Sequence, residues 1–242
     1  ATAVNRWVIR HVVPATAALN VLDDTVADPR QHLGVLGMNG WTAYHGITET
    51  GRTRPGETVL VSAAAGATGL LAAQIARNMG CRVVGLAGGA GKCRMLVEKF
   101  GLDCAIDYKT EDVEQALTRI GGGIHVYFDN VGGPLLDAVL PNMAHYGRVA
   151  ICGLVATYTA DSATPGPRRF DQVLMRRLSV AGLFSPDFAH RGPEYNALLQ
   201  PWLRAGRITL PFDITTGLEN LLTAYAKLFT GGNIGKVLVK LT

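Results

Sequence analysis

The sequence predicts an α/β fold built on a six-stranded, doubly wound parallel sheet. Two observations carry this prediction. From residue 58 onward, short apolar runs alternate with stretches of helical periodicity, which is the order that a parallel sheet with right-handed crossovers requires. The apolar runs are rich in β-branched residues and do not alternate with polar ones, as expected of strands that are covered on both faces.

Six strand-like runs follow one another in this region. They are TVLVSAA (58–64), RVVGLAG (82–88), CAIDY (104–108), IHVYFDNVGG (124–133), GRVAICG (147–153) and LSVAGLF (178–184). Helical stretches lie between them at Leu70–Met79, about Lys92–Phe100, Val113–Leu117 and Leu135–Met143, and a further helix precedes the sixth run. Six strands are the usual size of a dinucleotide-binding sheet.

The two ends of the chain have a different pattern. Residues 1–34 contain the strand-like run RWVIRHVV, and residues 206–242 contain two strand-like runs around one helix. Neither end can close a core of its own, so the sequence predicts a main domain over 35–205 between two parts of another unit. The loop over 159–169, rich in Pro, Ser and Gly, is predicted to be a surface excursion of the main domain.

Composition and charge exclude several function classes. The 242 residues are 48% hydrophobic and 17% charged, which is typical of a globular protein. No apolar run reaches membrane-spanning length, and the basic residues are scattered, so neither a membrane nor a nucleic acid is expected as a partner. The four cysteines show no paired spacing and the six histidines have no cysteines at ligand spacing. We therefore expect free thiols in a reducing cytoplasm and no metal site.

A glycine motif, Ala63-x-x-Gly66-x-x-Gly69, lies at the first strand-to-helix turn. Gly66 allows a pyrophosphate to approach the backbone, and Gly69 allows the helix to pack closely on its strand. The helix N-terminus offers unpaired N–H groups and a partial positive charge to phosphates. A tight turn without a ligand is the alternative, and the repeating β/α series around the motif favours a dinucleotide site.

The end of the second strand distinguishes between the two nicotinamide dinucleotides. In NAD sites an acidic residue, about 20 residues beyond the glycines, binds the ribose 2′-hydroxyl. The corresponding stretch here, GLAGGAGKCR, contains no Asp or Glu and carries Lys92 and Arg94 instead. Because a lysine attracts a 2′-phosphate, the sequence predicts NADP (NADPH) as the cofactor. The alternative is that Lys92 is an exposed residue at a helix start.

Seven segments occur in order along the chain: LGVLGMNGWTAYHG (33–46), VSAAAGATG, AGGAGKCRMLVEKFG, AIDYK, YFDNVGG, GRVAICG and GGNIGKVLV. Together they resemble the zinc-independent medium-chain dehydrogenase/reductase family, and most of all its leukotriene B4 dehydrogenase / prostaglandin reductase branch of NADPH-dependent alkenal and enone reductases. The resemblance implies a Rossmann domain flanked by remnants of a GroES-like, β-rich catalytic domain, whose N-terminal lobe is largely absent. The start at Ala1, without a methionine, favours a fragment.

The resemblance also implies a cofactor site. Gly66, Ala67, Thr68 and Gly69 are expected to bind the diphosphate, and Lys92 and Tyr108 the 2′-phosphate. The other implied contacts are Met38 and Thr42 beside the nicotinamide, Asn130 after the fourth strand, Cys152 and Gly153 after the fifth, Tyr158 near the nicotinamide ribose, backbone groups of Leu183, Phe184 and Ser185 at the carboxamide, and Asn233 from the C-terminal part.

Several of these residues have a second interpretation. Asn130 is also placed to cap the next helix, Tyr158 to pack on the surface of a loop, and Met38 to fill the core. Cys152 is interpreted as a small buried residue near the cofactor and not as a nucleophile. Asn39 departs from the family pattern, which usually has a proline at this position.

The implied activity is NADPH-dependent reduction of the carbon–carbon double bond of an α,β-unsaturated ketone or aldehyde, with hydride delivered to the β-carbon. Tyr158 is the predicted catalytic residue, acting through the ribose hydroxyl to hold or polarise the substrate oxygen. The expected partners are a small-molecule enone, alkenal or quinone and a second copy of the chain, in a homodimer formed across the last strand. Two alternatives remain open: a quinone reductase of the same family, and a non-catalytic NADP-binding module if the N-terminal lobe is absent.

Overall fold

The structure is a computed structural model that describes residues 22–158 and 166–241. The predicted run RWVIRHVV and most of the loop over 159–169 lie outside the described residues. None of the described helices combines the length and the hydrophobicity that crossing a bilayer demands.

Six parallel strands form the central sheet, which confirms the predicted fold class. The strand order is β3-β2-β1-β4-β5-β6. The chain therefore reverses its direction of travel across the sheet between β1 and β4, and in open parallel sheets ligands bind at the carboxyl ends of the strands at such a point. The strands are β1 (Thr58–Val61), β2 (Arg82–Ala87), β3 (Cys104–Asp107), β4 (Ile124–Asp129), β5 (Met143–Ile151) and β6 (Ser179–Gly182).

Helices cover both faces of this sheet. They are α1 (Met38–His45), α2 (Ala67–Asn78), α3 (Ala90–Glu98), α4 (Val113–Ile120), α5 (Gly133–Val139), α6 (Asp171–Met175), α7 (Ser185–Phe188) and α8 (Gly192–Arg204). Consecutive residues of β1 enter opposite cores: Val59 and Val61 pack with α1 and α2, whereas Leu60 packs with α4 and α5. All four β1 residues are buried, which explains the uninterrupted apolar pattern of its sequence.

One predicted boundary is wrong. The helical pattern predicts a helix up to Met143, but α5 ends at Val139 and a single 3₁₀ turn, Leu140–Asn142, follows it. Pro141 lies in that turn and has no backbone N–H to continue an α-helix. Met143 instead begins β5, four residues before the predicted strand.

The C-terminal part contains the two strands and one helix that the sequence predicts. The strands β7 (Phe212–Thr216) and β8 (Lys236–Lys240) pair in parallel and α9 (Leu221–Thr230) connects them. The chain then returns to the central sheet, because the Gly235 N–H donates to the Ala65 carbonyl at 2.8 Å. Gly66 and Gly235 also form an isolated parallel bridge. The start of β8 is thus attached directly to the glycine turn, the motif residues 63–69 that join β1 to α2.

Candidate functional site

The backbone of the glycine turn explains why position 69 is a glycine. Ala63 has a left-handed backbone, with φ +48°. Gly66 begins α2 in an extended conformation, and no side chain caps the helix, so its first N–H groups face outward without a side-chain acceptor. A Cβ on Gly69 would lie 2.4 Å from the Ala63 carbonyl oxygen. Only glycine therefore allows α2 to pack this close to β1.

The glycine turn opens on a cavity of about 1100 Å³ between the carboxyl ends of the central strands and the segment α9–β8. This volume exceeds the range of roughly 300–1000 Å³ that is usual for small-molecule pockets, so an extended ligand fits. The structure brings together nine of the predicted site residues in the wall of this cavity: Gly66, Ala67, Thr68, Gly69, Lys92, Tyr108, Asn130, Tyr158 and Asn233.

The other seven predicted residues lie outside the cavity lining. Met38 is exposed at the start of α1 and therefore does not fill the core, whereas Thr42 is buried one turn later. The remaining five follow β5 and β6 and are Cys152, Gly153, Leu183, Phe184 and Ser185. Their contacts with a cofactor stay predictions. Burial, reinforced by the negative charge of Asp129, raises the pKa of the Cys152 thiol to about 12. The thiol is therefore protonated at neutral pH and is a poor nucleophile.

Lys92 and Tyr108 lie at the end of the cavity formed by β2 and β3. Lys92 is half-buried, and its Nζ donates to the carbonyl oxygen of Gly231 at 2.7 Å. The interpretation of Lys92 as an exposed helix-start lysine is therefore wrong. Burial, together with the nearby charge of Lys109, lowers the pKa of Lys92. The Tyr108 hydroxyl lies over Gly88, where a Cβ would approach it to 2.7 Å.

Asn130 ties the ends of β1 and β4 together and does not cap α5. Its amide Nδ2 donates to the Ser62 carbonyl at 2.6 Å, and its backbone N–H donates to the Ser62 hydroxyl at 2.8 Å. The helix begins after Gly132 with no side-chain cap. The capping interpretation of Asn130 is therefore wrong, and its amide instead holds the cavity wall to the sheet.

Sequence reasoning missed the group that completes this junction. The buried carboxylate of Asp129 accepts hydrogen bonds through Oδ1 from the hydroxyls of Ser62 at 3.0 Å and Tyr127 at 2.8 Å. The same oxygen accepts from the backbone N–H groups of Val131 and Gly132, which form the next part of the cavity wall. The available signal was a polar residue at the carboxyl end of each of two adjacent, mainly apolar strands: Ser62 directly after β1 and Asp129 as the last residue of β4.

Tyr158 lies in the loop after β5 and is both exposed and part of the cavity wall. Its side chain is 61% exposed. Its hydroxyl accepts a hydrogen bond from the Leu154 backbone N–H at 3.1 Å, which folds the side chain back over the Gly153–Leu154 turn. The hydroxyl retains its own proton as a donor, so it is able to hold an oxygen atom of a ligand. The catalytic role of Tyr158 stays a prediction.

The charges of the cavity wall indicate an anionic ligand. Among the described residues the wall includes Lys92 and Lys236, and no Asp or Glu side chain. Lys236 and its partner Asn39 were not predicted as site residues; Asn39 stood out only as a departure from the family pattern. Over residues 22–158 and 166–241, no three His, Cys, Asp or Glu side chains are grouped so as to hold a metal ion.

Comparison with known proteins decides the family. The sequence profile described as "Zinc-binding dehydrogenase" matches residues 67–200, more than half of the chain. The 2-alkenal reductase (NADP(+)-dependent) of Nicotiana tabacum is 41% identical over 235 residues, which cover 96% of this chain and 68% of that protein. The chain belongs to the zinc-binding dehydrogenase family.

Two further relatives narrow the place of the chain within this zinc-binding dehydrogenase family. Prostaglandin reductase 1 of Sus scrofa is 39% identical over 212 residues, which cover 86% of this chain and 64% of that protein. The crystal structure of CurA in complex with NADPH from Vibrio vulnificus superposes with a TM-score of 0.85 at 38% identity, over 91% of this chain and 67% of that one. The chain thus spans about two thirds of the length of these relatives.

These relatives confirm the predicted branch, the zinc-independent alkenal and prostaglandin reductases among the medium-chain dehydrogenase/reductases. They also confirm the prediction of NADP as the cofactor, because one is named as NADP(+)-dependent and another was solved with NADPH. The site fits such a cofactor. The turn at Gly66 presents uncapped helix N–H groups for a diphosphate, and Lys92 lies beside a strand end that lacks a carboxylate for a ribose 2′-hydroxyl.

Proposed function

We propose that this chain forms the cofactor-binding part of an NADPH-dependent oxidoreductase that reduces the carbon–carbon double bond of α,β-unsaturated ketones and aldehydes. The observation that carries the proposal is the cavity at the glycine turn, whose charged side chains, among the described residues, are lysines alone. The names of the 2-alkenal and prostaglandin reductases support the reaction class. The substrate itself is a small-molecule enone or alkenal.

The cavity residues divide the binding of NADPH between them. Gly66, Ala67, Thr68 and Gly69 present the N-terminus of α2 to the diphosphate. Lys92 and Tyr108 would bind the 2′-phosphate, and Asn130 and Asn233 line the same cavity. When bound, NADPH supplies the hydride for the reduction. The predicted residues outside the lining, Met38, Thr42 and those that follow β5 and β6, are proposed to contact the nicotinamide end.

The chain contributes orientation and hydrogen bonding to the reaction. Tyr158 is the proposed catalytic residue, because its hydroxyl lies in the cavity wall with a proton to donate. A hydroxyl that holds the substrate carbonyl oxygen stabilises the negative charge that develops there as the double bond is reduced. A proton added at the α-carbon completes the reduction.

We also propose a homodimer that forms at the edge of the sheet. β6 is one of the two edge strands of the sheet, and all four of its residues, Ser179–Gly182, are exposed. Pairing with β6 of a second copy would satisfy its free backbone groups. Size-exclusion chromatography with light scattering tests the dimer, and a Val180→Pro variant is expected to shift it to monomer.

The four cysteines are free, which supports a cytoplasmic location.

The function is tested by binding and by turnover on the same preparation. NADPH is titrated into the chain while its fluorescence is followed, and saturable binding is expected. NADPH oxidation is then followed with an alkenal, a chalcone-like enone and a simple quinone. Faster oxidation with the enone supports the proposal, faster oxidation with the quinone supports a quinone reductase, and binding without turnover supports a non-catalytic NADP-binding module. Absence of saturable NADPH binding would reject all three.

The role of Tyr158 has its own test. Tyr158→Phe is expected to lower enone turnover roughly 10- to 100-fold while the Kd for NADPH stays within about twofold, since one donor to a developing oxyanion is lost. Tyr146→Phe is the matched control, because this exposed tyrosine lies in β5 outside the cavity lining. Unchanged turnover in Tyr158→Phe would reject the catalytic role.

A further inference from the structure

Lys236, at the start of β8, is a half-buried lysine in the wall of the cofactor cavity. Its Nζ donates to the Asn39 side-chain oxygen at 2.9 Å. None of the ion pairs formed by the described residues includes Lys236. Burial alone lowers its pKa. A half-buried ammonium group without a carboxylate indicates that its counter-charge is supplied by a ligand.

Asn39 connects this ammonium group to the glycine turn. Its Nδ2 donates to the Thr68 hydroxyl at 2.8 Å, while its Oδ1 accepts from Lys236. The orientation of the amide follows from this arrangement, because an ammonium group is only a donor. Thr68 lies in the first turn of α2. Lys236 is therefore two hydrogen bonds away from the helix N-terminus that is proposed to bind the diphosphate.

The backbone fixes Lys236 beside the turn independently of its side chain. The preceding residue, Gly235, donates its N–H to the Ala65 carbonyl at 2.8 Å. Gly235 has a φ of +68°, and a Cβ at this position would lie 2.1 Å from the Pro211 carbonyl oxygen. The residue before Lys236 must therefore be glycine, and β8 enters the site in one register.

We propose that Lys236 binds the cofactor diphosphate and that Asn39 positions its ammonium group for this contact. The inference rests on the proposed function. Asn39 uses one of the three donors of Lys236, and the other two remain for phosphate oxygens. The two lysines of the cavity wall then read different parts of one ligand. Lys92 binds the 2′-phosphate, which only NADPH carries, whereas Lys236 binds the diphosphate, which NADPH and NADH share.

The test is a comparison of Kd values for NADPH and NADH, measured by fluorescence titration of the full chain. Lys236→Met is expected to raise both Kd values roughly tenfold, because a charge-assisted contact is lost in each complex. The salt dependence of both affinities is expected to weaken in the same variant. Lys240→Met is the matched control, since it removes an exposed lysine from the end of the same strand and is expected to change neither Kd.

Asn39 variants separate positioning from a purely structural role. Asn39→Asp keeps an acceptor for Lys236 but neutralises its charge, so both Kd values are expected to rise while the Tm stays the same or increases. Lys236→Arg retains the charge and is expected to recover part of the affinity that Lys236→Met loses. A structural role alone predicts that the affinity losses follow the Tm of each variant.

Three results would overturn the inference. The first is unchanged Kd values in Lys236→Met, and the second is a loss confined to NADPH, which would place Lys236 at the 2′-phosphate. The third result applies if Lys236→Met does not fold. The test then rests on Asn39→Asp, and unchanged Kd values for NADPH and NADH in that variant would overturn the inference. When the unsubstituted chain binds NADPH, these results leave the proposed function intact. If the unsubstituted chain shows no saturable binding, both proposals fail together.

Discussion

The sheet-side wall of the cavity and its C-terminal wall differ in what holds them in place. The sheet-side wall follows strands that are almost wholly buried: every residue of β1 and five of the six in β4 are buried. In the C-terminal wall, Ala224 is the buried residue of α9, and no residue of β7 or β8 is fully buried. One wall belongs to a hydrophobic core, and the other lies against it.

Polar contacts replace packing at the C-terminal wall. Lys92 donates to Gly231, Gly235 donates to Ala65, and Lys236 donates to Asn39. A single hydrogen bond contributes about 0.5–1.5 kcal/mol to stability, which is far less than a buried aromatic side chain contributes. The comparison teaches that core packing places the turn that receives the diphosphate, whereas a few hydrogen bonds place the segment that closes over it. We therefore expect the C-terminal wall to open at a lower free energy than the sheet.

The largest effect is expected on the free energy of unfolding, when one phenylalanine of the sheet-side wall and one of the C-terminal wall are each replaced by alanine. Phe128 in β4 is fully buried, and Phe128→Ala is expected to lower the free energy of unfolding by about 3–5 kcal/mol. Phe229 in α9 is 40% exposed and packs edge-on against Tyr225, so Phe229→Ala is expected to cost about 1 kcal/mol or less. Urea unfolding measures both. Equal losses would show that the two walls are packed alike.

The next effect concerns the contact between the glycine turn and its helix. Gly69→Ala places a Cβ 2.4 Å from the Ala63 carbonyl oxygen and is expected to destabilise the fold by about 1–3 kcal/mol. Gly91→Ala in α3 is the control, because a Cβ there meets nothing within 4 Å and alanine favours the helix. Thermal unfolding of both variants is the measurement. A Gly69→Ala protein as stable as the parent would mean that α2 is free to move away from β1.

A substitution at Lys92, which links α3 to the C-terminal wall, tests whether this lysine binds the 2′-phosphate of NADPH. Lys92→Glu is expected to raise the Kd for NADPH about tenfold or more, or ~1.4 kcal/mol, and to change the Kd for NADH far less. Lys99→Glu, at an exposed position just after α3, is the control with the same charge change and is expected to affect neither cofactor. If Lys92→Glu weakens both cofactors equally, Lys92 does not read the phosphate.

The smallest effect is expected on stability when an ion pair of the sheet and an ion pair of the C-terminal region are each broken. Glu57, before β1, accepts from Arg148 of β5 at 3.0 Å. Burial opposes ionisation of Glu57, but the hydrogen bonds from Arg148 and the Arg54 backbone N–H, together with the charge of Arg148, outweigh it, and the pKa of Glu57 lies below the ordinary 4.5. The pair therefore stabilises the fold above pH 4.5 and loses this contribution as the pH falls through the lower folded pKa.

Glu57→Gln is expected to flatten this part of the stability–pH curve, measured by urea unfolding between pH 3 and pH 6. In the C-terminal region Lys227 pairs with Asp213 at 2.8 Å, with both side chains more exposed. Lys227→Met is expected to change stability by less than about 1 kcal/mol. A larger effect for Lys227→Met than for Glu57→Gln would reverse the comparison.

The sequence was sufficient for the sheet because the sheet is encoded locally. Each strand is a short apolar run and each helix a separate periodic stretch, so their order predicts the topology. The end of α5 was misplaced because the apolar pattern continues through Leu140 and Met143, although Pro141 prevents the helix from doing so. Pattern and backbone chemistry disagree at this point, and the proline decides the structure.

Part of the cavity wall was also predictable, but its polar junctions were not. The glycine turn, Lys92 and Asn233 lie in sequence motifs, whereas the roles of Asp129 and Asn39 depend on residues far away in the chain. Asn39 and Lys236 are 197 positions apart, and their contact requires the whole sheet to be folded first. No local pattern contains such a pair. The departure of Asn39 from the family pattern indicated a change at this position without indicating its partner.

The lysine-only charge of the cavity wall, within the described part of the chain, has a practical consequence for every measurement above. Ammonium groups do not discriminate between the phosphates of a dinucleotide and small inorganic oxyanions. Sulfate or phosphate in the buffer is therefore expected to compete for the same positions and to make the cofactor seem weaker than it is. Titrations in a chloride–Tris medium and in a phosphate medium of equal ionic strength should then disagree, and the size of that disagreement reports how much of the affinity is electrostatic.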